Sequence, residues 1–155
     1  LNNGAIACIA SDHSPFPKEK KETNIWDASG GIPAYQTALS LLLTHGFHKE
    51  KIDLQQLVKV TSENAAKIFG LYPKKGAIQV GSDADFVIVD LDQETKIEEQ
   101  YLYTRGAYAV PYLGWKVKGI PTHTICRGTV IMDNGEIKGK PGHGEFVRPK
   151  KPNAE

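Results

Sequence analysis

Asp12 and His13 are neighbours at the point where an apolar run gives way to a proline-containing loop. The run Ala5-Ile6-Ala7-Cys8-Ile9-Ala10 is too short for an independent helix. Its small and β-branched residues suit a strand buried on both faces, as in a parallel sheet. In α/β barrels and open α/β sheets, reactive groups gather at the C-terminal ends of strands. A carboxylate there can ligate a metal and can also take a proton from an attacking water. Asp12 can equally be a plain loop cap, accepting the N–H of Ser14 or beyond in an Asx-turn.

The other histidines make a weaker case. His45 and His48 flank Gly46 at an expected helix end, where imidazoles sit well against the C-terminal dipole. His123 falls in Thr-His-Thr on an expected strand, an outward polar position, and His143 lies in a loop between two glycines. None forms an HxH or HExxH pair, so this chain cannot complete a metal site by itself. Cys8 and Cys126 are the only thiols, expected as small core residues. Trp26 and Trp115 are expected to anchor packing. Neither a P-loop nor GxGxxG occurs.

The elements that must position Asp12 follow from the surrounding pattern. Residues 11–22 carry two prolines and a charge run, and read as an exposed loop. In Ser29-Gly30-Gly31-Ile32-Pro33 the glycines allow the backbone to approach a ligand closely. Pro33 opens a helix over 34–44 with Ala38, Leu41 and Leu42 at helical spacing and Gly46 beyond its end. Asp53 caps a second helix, Ser62 caps a third, and Gly70 stops it. Past Tyr72-Pro73 the pattern turns to short strands over 76–80, 85–89, 122–126 and 129–132. Asp133-Asn134-Gly135 is then a turn before Glu136-Ile137. The tail from Pro149 is expected to fray.

Charge narrows the function classes. The chain has 155 residues with 19 Lys+Arg against 18 Asp+Glu, a net charge of +1. That balance gives no clustered basic excess for a nucleic acid or a membrane surface. No apolar run approaches the ~20 residues that cross a bilayer. A composition 40% hydrophobic and 24% charged reads as a globular, cytoplasmic enzyme or enzyme piece. Because no parallel neighbour precedes the strand at 5–10, the chain is expected to be the C-terminal part of a longer polypeptide.

Ile9-Ala10-Ser11-Asp12-His13-Ser14-Pro15, then Ser29-Gly30-Gly31-Ile32-Pro33, resembles the end of the barrel in cyclic amidohydrolases. That family includes allantoinases, hydantoinases, dihydropyrimidinases and dihydroorotases. The stretches 61–71, 75–90 with its Lys-Gly…Gly-Ser-Asp-Ala-Asp pattern, and 111–128 match in the same order. The resemblance implies an α/β fold: the C-terminal part of a metal-dependent (β/α)8 TIM barrel over 1–71, its last strand and helices. A small β-sandwich segment over 72–148 and a tail at 149–155 would follow.

It also implies two divalent metals, usually zinc, and a hydroxide that attacks a small cyclic amide. Asp12 matches the strand-end aspartate that ligates one metal and shuttles the proton. His13, Gly30 and Gly31 match substrate-binding positions. The family's HxH pair, bridging lysine and two later histidines have no counterpart in this chain, so alone it is expected to be inactive. The intact protein is expected to be a homo-oligomer. Phe16 departs from dihydroorotases, which commonly carry a histidine there, and so favours neutral rings. The alternative is a catalytically silent scaffold or assembly protein of the same family.

Overall fold

The computed structural model describes residues 1–149, so nearly all of the expected frayed tail lies outside the described residues. Its second half forms a four-stranded antiparallel meander. β1 (Phe86–Lys96), β2 (Lys116–Cys126), β3 (Thr129–Asp133) and β4 (Glu136–Ile137) each pair with their sequence neighbour. Both tight turns use two successive left-handed residues, the signature of type I′ hairpins. These are Arg127 and Gly128 at φ 48° and 78°, and Asn134 and Gly135 at φ 45° and 85°.

Two strands run further than alternation predicts. β1 continues through polar residues to Lys96, past an irregularity where Asp90 Oδ1 accepts the N–H groups of Asp92 at 2.9 Å and Gln93 at 3.0 Å. β2 begins at Lys116 and carries both Gly119 and Pro121. Pro121 is accommodated beside a bulge opposite Ile88 and Val89. The strand expected over 76–80 does not form, and Ile78 and Val80 are 86% and 104% exposed. That segment has no ladder partner among the described residues. These residues form one sheet; neither a second sandwich layer nor a closed barrel is built from them.

The helices are fewer and longer than expected. α1 (Tyr35–Leu42) continues through a π turn over Leu43–Phe47, so Gly46 lies inside the helical run. α2 (Leu54–Val58), a π turn over Lys59–Glu63 and α3 (Asn64–Ile68) form one unbroken helix. Ser62 is therefore internal and caps nothing. Asp53 does cap, its Oδ1 accepting the Gln56 N–H at 2.7 Å. Gly70, at φ 68°, ends the run in a Schellman motif, with Leu71 N–H donating to Ala66 O at 2.8 Å and Gly70 N–H to Lys67 O at 3.1 Å.

α1 joins the two halves. Buried Leu43, Ile52 and Leu57 pack with Val89 and Leu91 of β1, while Leu41 leans on a second cluster of Ile97, Val110 and Val117. Close approach requires Gly119, at φ 92°, since a Cβ there would lie 2.8 Å from both Cβ and Cδ1 of Leu43. Thr44 Oγ1 adds a polar tie, accepting the Lys118 N–H at 2.9 Å. Cys8 and Cys126 are half-buried rather than core residues. Trp26 anchors nothing, being 92% exposed at a loop tip.

Residues 5–10 are not a buried strand among the described residues; Ile6 is 53% exposed. The segment runs along the α2–α3 helix, held by polar contacts. In the π turn Asn64 N–H donates to Lys59 O, and Val60 O instead accepts the Ile9 N–H at 2.8 Å. Asn64 Nδ2 donates to Ala7 O at 2.8 Å and Gln56 Nε2 to Leu1 O at 2.9 Å.

Candidate active site

Asp12 emerges from this segment with φ 46°, in the left-handed region that Asp adopts more readily than most residues. It is exposed, and its carboxylate makes no hydrogen bond among the described residues. The Asx-turn alternative fails, because the Ser14 N–H donates to Ile32 O at 2.9 Å. That bond belongs to a single parallel bridge between His13 and Ile32, which lays residues 12–14 beside the glycine loop. Gly31 (φ 93°) is required there, since a Cβ would collide with the Ser14 Cβ. Gly30 faces open space.

His13 points to the start of α1. Its Nδ1 accepts the N–H groups of Ala34 at 3.0 Å and Tyr35 at 3.2 Å. Its ring stacks on Tyr35 at 4.1 Å between centroids, 7° from parallel. An imidazole nitrogen that accepts carries no proton, so the neutral ring holds its proton on Nε2. A pocket of about 110 Å³ opens beside it, lined by His13, Pro33, Tyr35, Gln36, Leu102 and Tyr103. Gln36 closes its rim, donating to Tyr101 O at 2.7 Å and accepting the Tyr103 N–H at 2.8 Å.

Lys21 is a member of the site that sequence patterning missed. Its ammonium donates to Ser29 O at 3.2 Å and to Gly31 O, closing the base of the loop whose tip is Trp26. The only signal was its place in a charge run, where a solvated lysine is the ordinary outcome. Phe16, 37% exposed, packs its backbone toward Gly106, whose missing Cβ leaves room for Phe16 O at 3.2 Å.

The remaining sequence candidates are dispersed. Among the described residues no group of three His, Cys, Asp or Glu side chains comes together to hold a metal. Structural metal sites want four ligands and catalytic ones three. Asp12 is free to be one of them, but these residues alone do not fit a metal. His143 is a structural clamp, its ring Nε2 lying 2.9 Å from Cys126 O. His123 lies 3.4 Å from Asp133 across the sheet.

The Lys-Gly…Gly-Ser-Asp-Ala-Asp stretch is also structural. Lys75 bridges Asp83 at 2.9 Å and Asp85, while Asp85 Oδ1 accepts the Arg127 N–H at 2.8 Å. The hydrogen bond from Lys75 holds the Asp83 carboxyl below its ordinary value. Burial pushes Asp85 up, but bonds from Lys75 and the Arg127 N–H outweigh it, and its carboxyl is also held low. Burial pulls Lys75 down, and its bonds to Asp85 and Asp83 raise it further.

The structure thus brings together an exposed carboxylate, a glycine loop and the start of α1. The Amidohydrolase family model matches residues 1–131, and the chain belongs to that family, in its cyclic amidohydrolase branch. It is 42% identical over 150 residues to the L-hydantoinase of Paenarthrobacter aurescens, covering 95% of this chain and 32% of that protein. It is 38% identical over 149 residues to an allantoinase of Desulfitobacterium hafniense, covering 96% and 32%. The solved L-hydantoinase (dihydropyrimidinase) from Arthrobacter aurescens superposes with a TM-score of 0.85 at 41% identity, covering 94% of this chain and 33% of that one. The chain thus spans about a third of the length of the curated relatives it matches. No helix among the described residues is long and apolar enough to cross a membrane.

Proposed function

We propose that this chain is the C-terminal share of a cytoplasmic, homo-oligomeric hydrolase of cyclic amides, with Asp12 as its catalytic base. Residues 1–71 supply the end of the barrel and 72–148 the β-rich subdomain. The observation that carries this reading is Asp12 itself: exposed, unbonded and left-handed, in a chain similar throughout to hydantoinases and an allantoinase.

Asp12 takes the proton of the attacking water and passes it to the leaving ring nitrogen, while backbone groups of Gly30 and Gly31 lie along the ring with His13 beside them. Family members are generally metal-dependent; two divalent ions, zinc by resemblance, would sharpen the nucleophile, and Asp12 would be one of their ligands. The other ligands are not found among the described residues.

Phe16 directs the substrate choice. It presents an apolar face where an anionic ring would want a donor, and a buried unpaired carboxylate costs several kcal/mol. Hydantoin, allantoin and dihydropyrimidine should therefore be cleaved in preference to dihydroorotate. The test assays the full-length, zinc-loaded polypeptide on all four rings, with residues 1–155 alone as a control expected to be inactive and metal-free. Highest efficiency on dihydroorotate would overturn the Phe16 argument. No turnover of any ring by the full-length polypeptide would favour a scaffold.

A further inference from the structure

We infer that His13 serves this site as a positioning residue, acting through Nδ1 on the start of α1 rather than through Nε2 on substrate; the inference rests on the functional reading above. A helix leaves its first four N–H groups without partners inside the helix. Here the N-cap is Ala34, which has no side-chain oxygen to offer. The cap comes instead from another element, with His13 Nδ1 accepting both the Ala34 and Tyr35 N–H groups. Face-to-face stacking on Tyr35 fixes the plane of the ring, so its direction as well as its distance is set.

His13 is bonded directly to Asp12, whose left-handed backbone has, among the described residues, no side-chain bond of its own to sustain it. On the other side the chain is fixed by the Ser14–Ile32 bond and the Gly31–Ser14 contact. Between these restraints His13 is, among the described residues, the side chain that ties the Asp12 turn to the helix, across 21 residues of sequence. Losing that tie lets Asp12 relax toward ordinary backbone angles and swings its carboxylate away, while the glycine loop, held by Lys21, keeps its shape.

The two ring nitrogens can be separated by substitution. Asparagine places an amide oxygen near the position of Nδ1, and glutamine reaches the position of Nε2. In the full-length, zinc-loaded polypeptide, His13→Asn should retain at least about ten times the kcat of His13→Gln. His13→Gln should lose roughly 10–100-fold in kcat, the scale expected when a reacting group moves by an ångström, with KM changed less than about twofold. Amide exchange gives a readout independent of turnover: Ala34 and Tyr35 should be protected in the parent and in His13→Asn, and exposed in His13→Gln. Glutamine rescuing better than asparagine, or a loss confined to KM, would place the role on Nε2 and overturn the inference. If the parent polypeptide cleaves no ring, the functional reading fails by itself. The exchange pattern then decides the tie: equal protection in all three proteins would refute it, and selective loss in His13→Gln would uphold it.

Discussion

Exchanging Asp12 for Asn keeps the shape of the side chain and removes its ability to take a proton. The left-handed backbone at this position is adopted by Asn as readily as by Asp, so the substitution tests chemistry rather than folding. In the full-length polypeptide, Asp12→Asn and Asp12→Ala should each lower kcat by at least about 10²–10⁴-fold, the usual worth of a general base. Thermal unfolding should move little for Asp12→Asn and somewhat more for Asp12→Ala, since alanine tolerates the left-handed backbone less well. Residual turnover above a tenth of the parent would remove Asp12 from the proposed mechanism. Asp12 stands out in sequence because a carboxylate after a strand-like apolar run is a local pattern, strengthened by resemblance. The contacts that hold the site do not: His13 meets Ala34 and Tyr35, and Lys21 meets Ser29 and Gly31, through backbone groups that leave no mark on residue type.

At the scale of elements, the contact between α1 and β2 depends on one missing methyl group. Gly119→Ala forces a φ of 92° on a residue with a Cβ and drives that atom into Leu43. Strain and overpacking together should cost about 2–4 kcal/mol in a urea titration. Gly114→Ala is the matched control: its φ is 84°, but its nearest neighbour would be the Lys96 Cε at 3.7 Å, so only strain of about 1 kcal/mol remains. Equal losses for the two variants would show that packing against Leu43 contributes nothing.

Element types were mostly readable and their extents were not. The pattern ends β1 at Val89 because, Leu91 apart, the residues from Asp90 to Lys96 are polar and exposed, without the sustained alternation that marks a strand. β2 extends back to Lys116 through Gly119 and Pro121, residues that weaken a strand pattern; a helix contact explains the first and a bulge the second. The α2–α3 run looked like two helices because a serine and a run of small residues imitate a cap. Residues 5–10 and 76–80 have strand composition, but a strand also needs a partner, and composition does not supply one.

In the whole molecule, the Lys75–Asp83–Asp85 cluster fastens the segment after α3 to the β2–β3 turn through Arg127. Its effect on stability has a defined pH dependence. Asp83 and Asp85 titrate below their ordinary values, so their contribution is present at neutral pH and is lost as acid protonates them, from about pH 5 downward. Lys75 titrates above its ordinary value, so its contribution holds through neutral pH and is lost as the pH rises through that raised value. Lys75→Met should flatten both limbs of a stability–pH curve, leaving on the acid side the part due to the Asp85–Arg127 bond. A curve parallel to that of the parent would show that the cluster is only a surface pairing.

The meander also sets a folding order. β2 and β3 are separated by only Arg127 and Gly128, and β3 and β4 by Asn134 and Gly135, whereas residues 97–115 intervene between β1 and β2. Closing a short loop loses less chain entropy than closing a long one, so local pairings form first. The hairpins after Lys116 are therefore expected to form first, with β1 docking onto the edge they present. Asp85, one residue before β1, reaches the Arg127 N–H only once that docking is complete. The bond that looks like a static clasp is thus expected to act as a latch that closes last, so that Asp85→Asn should speed unfolding and leave the refolding rate unchanged.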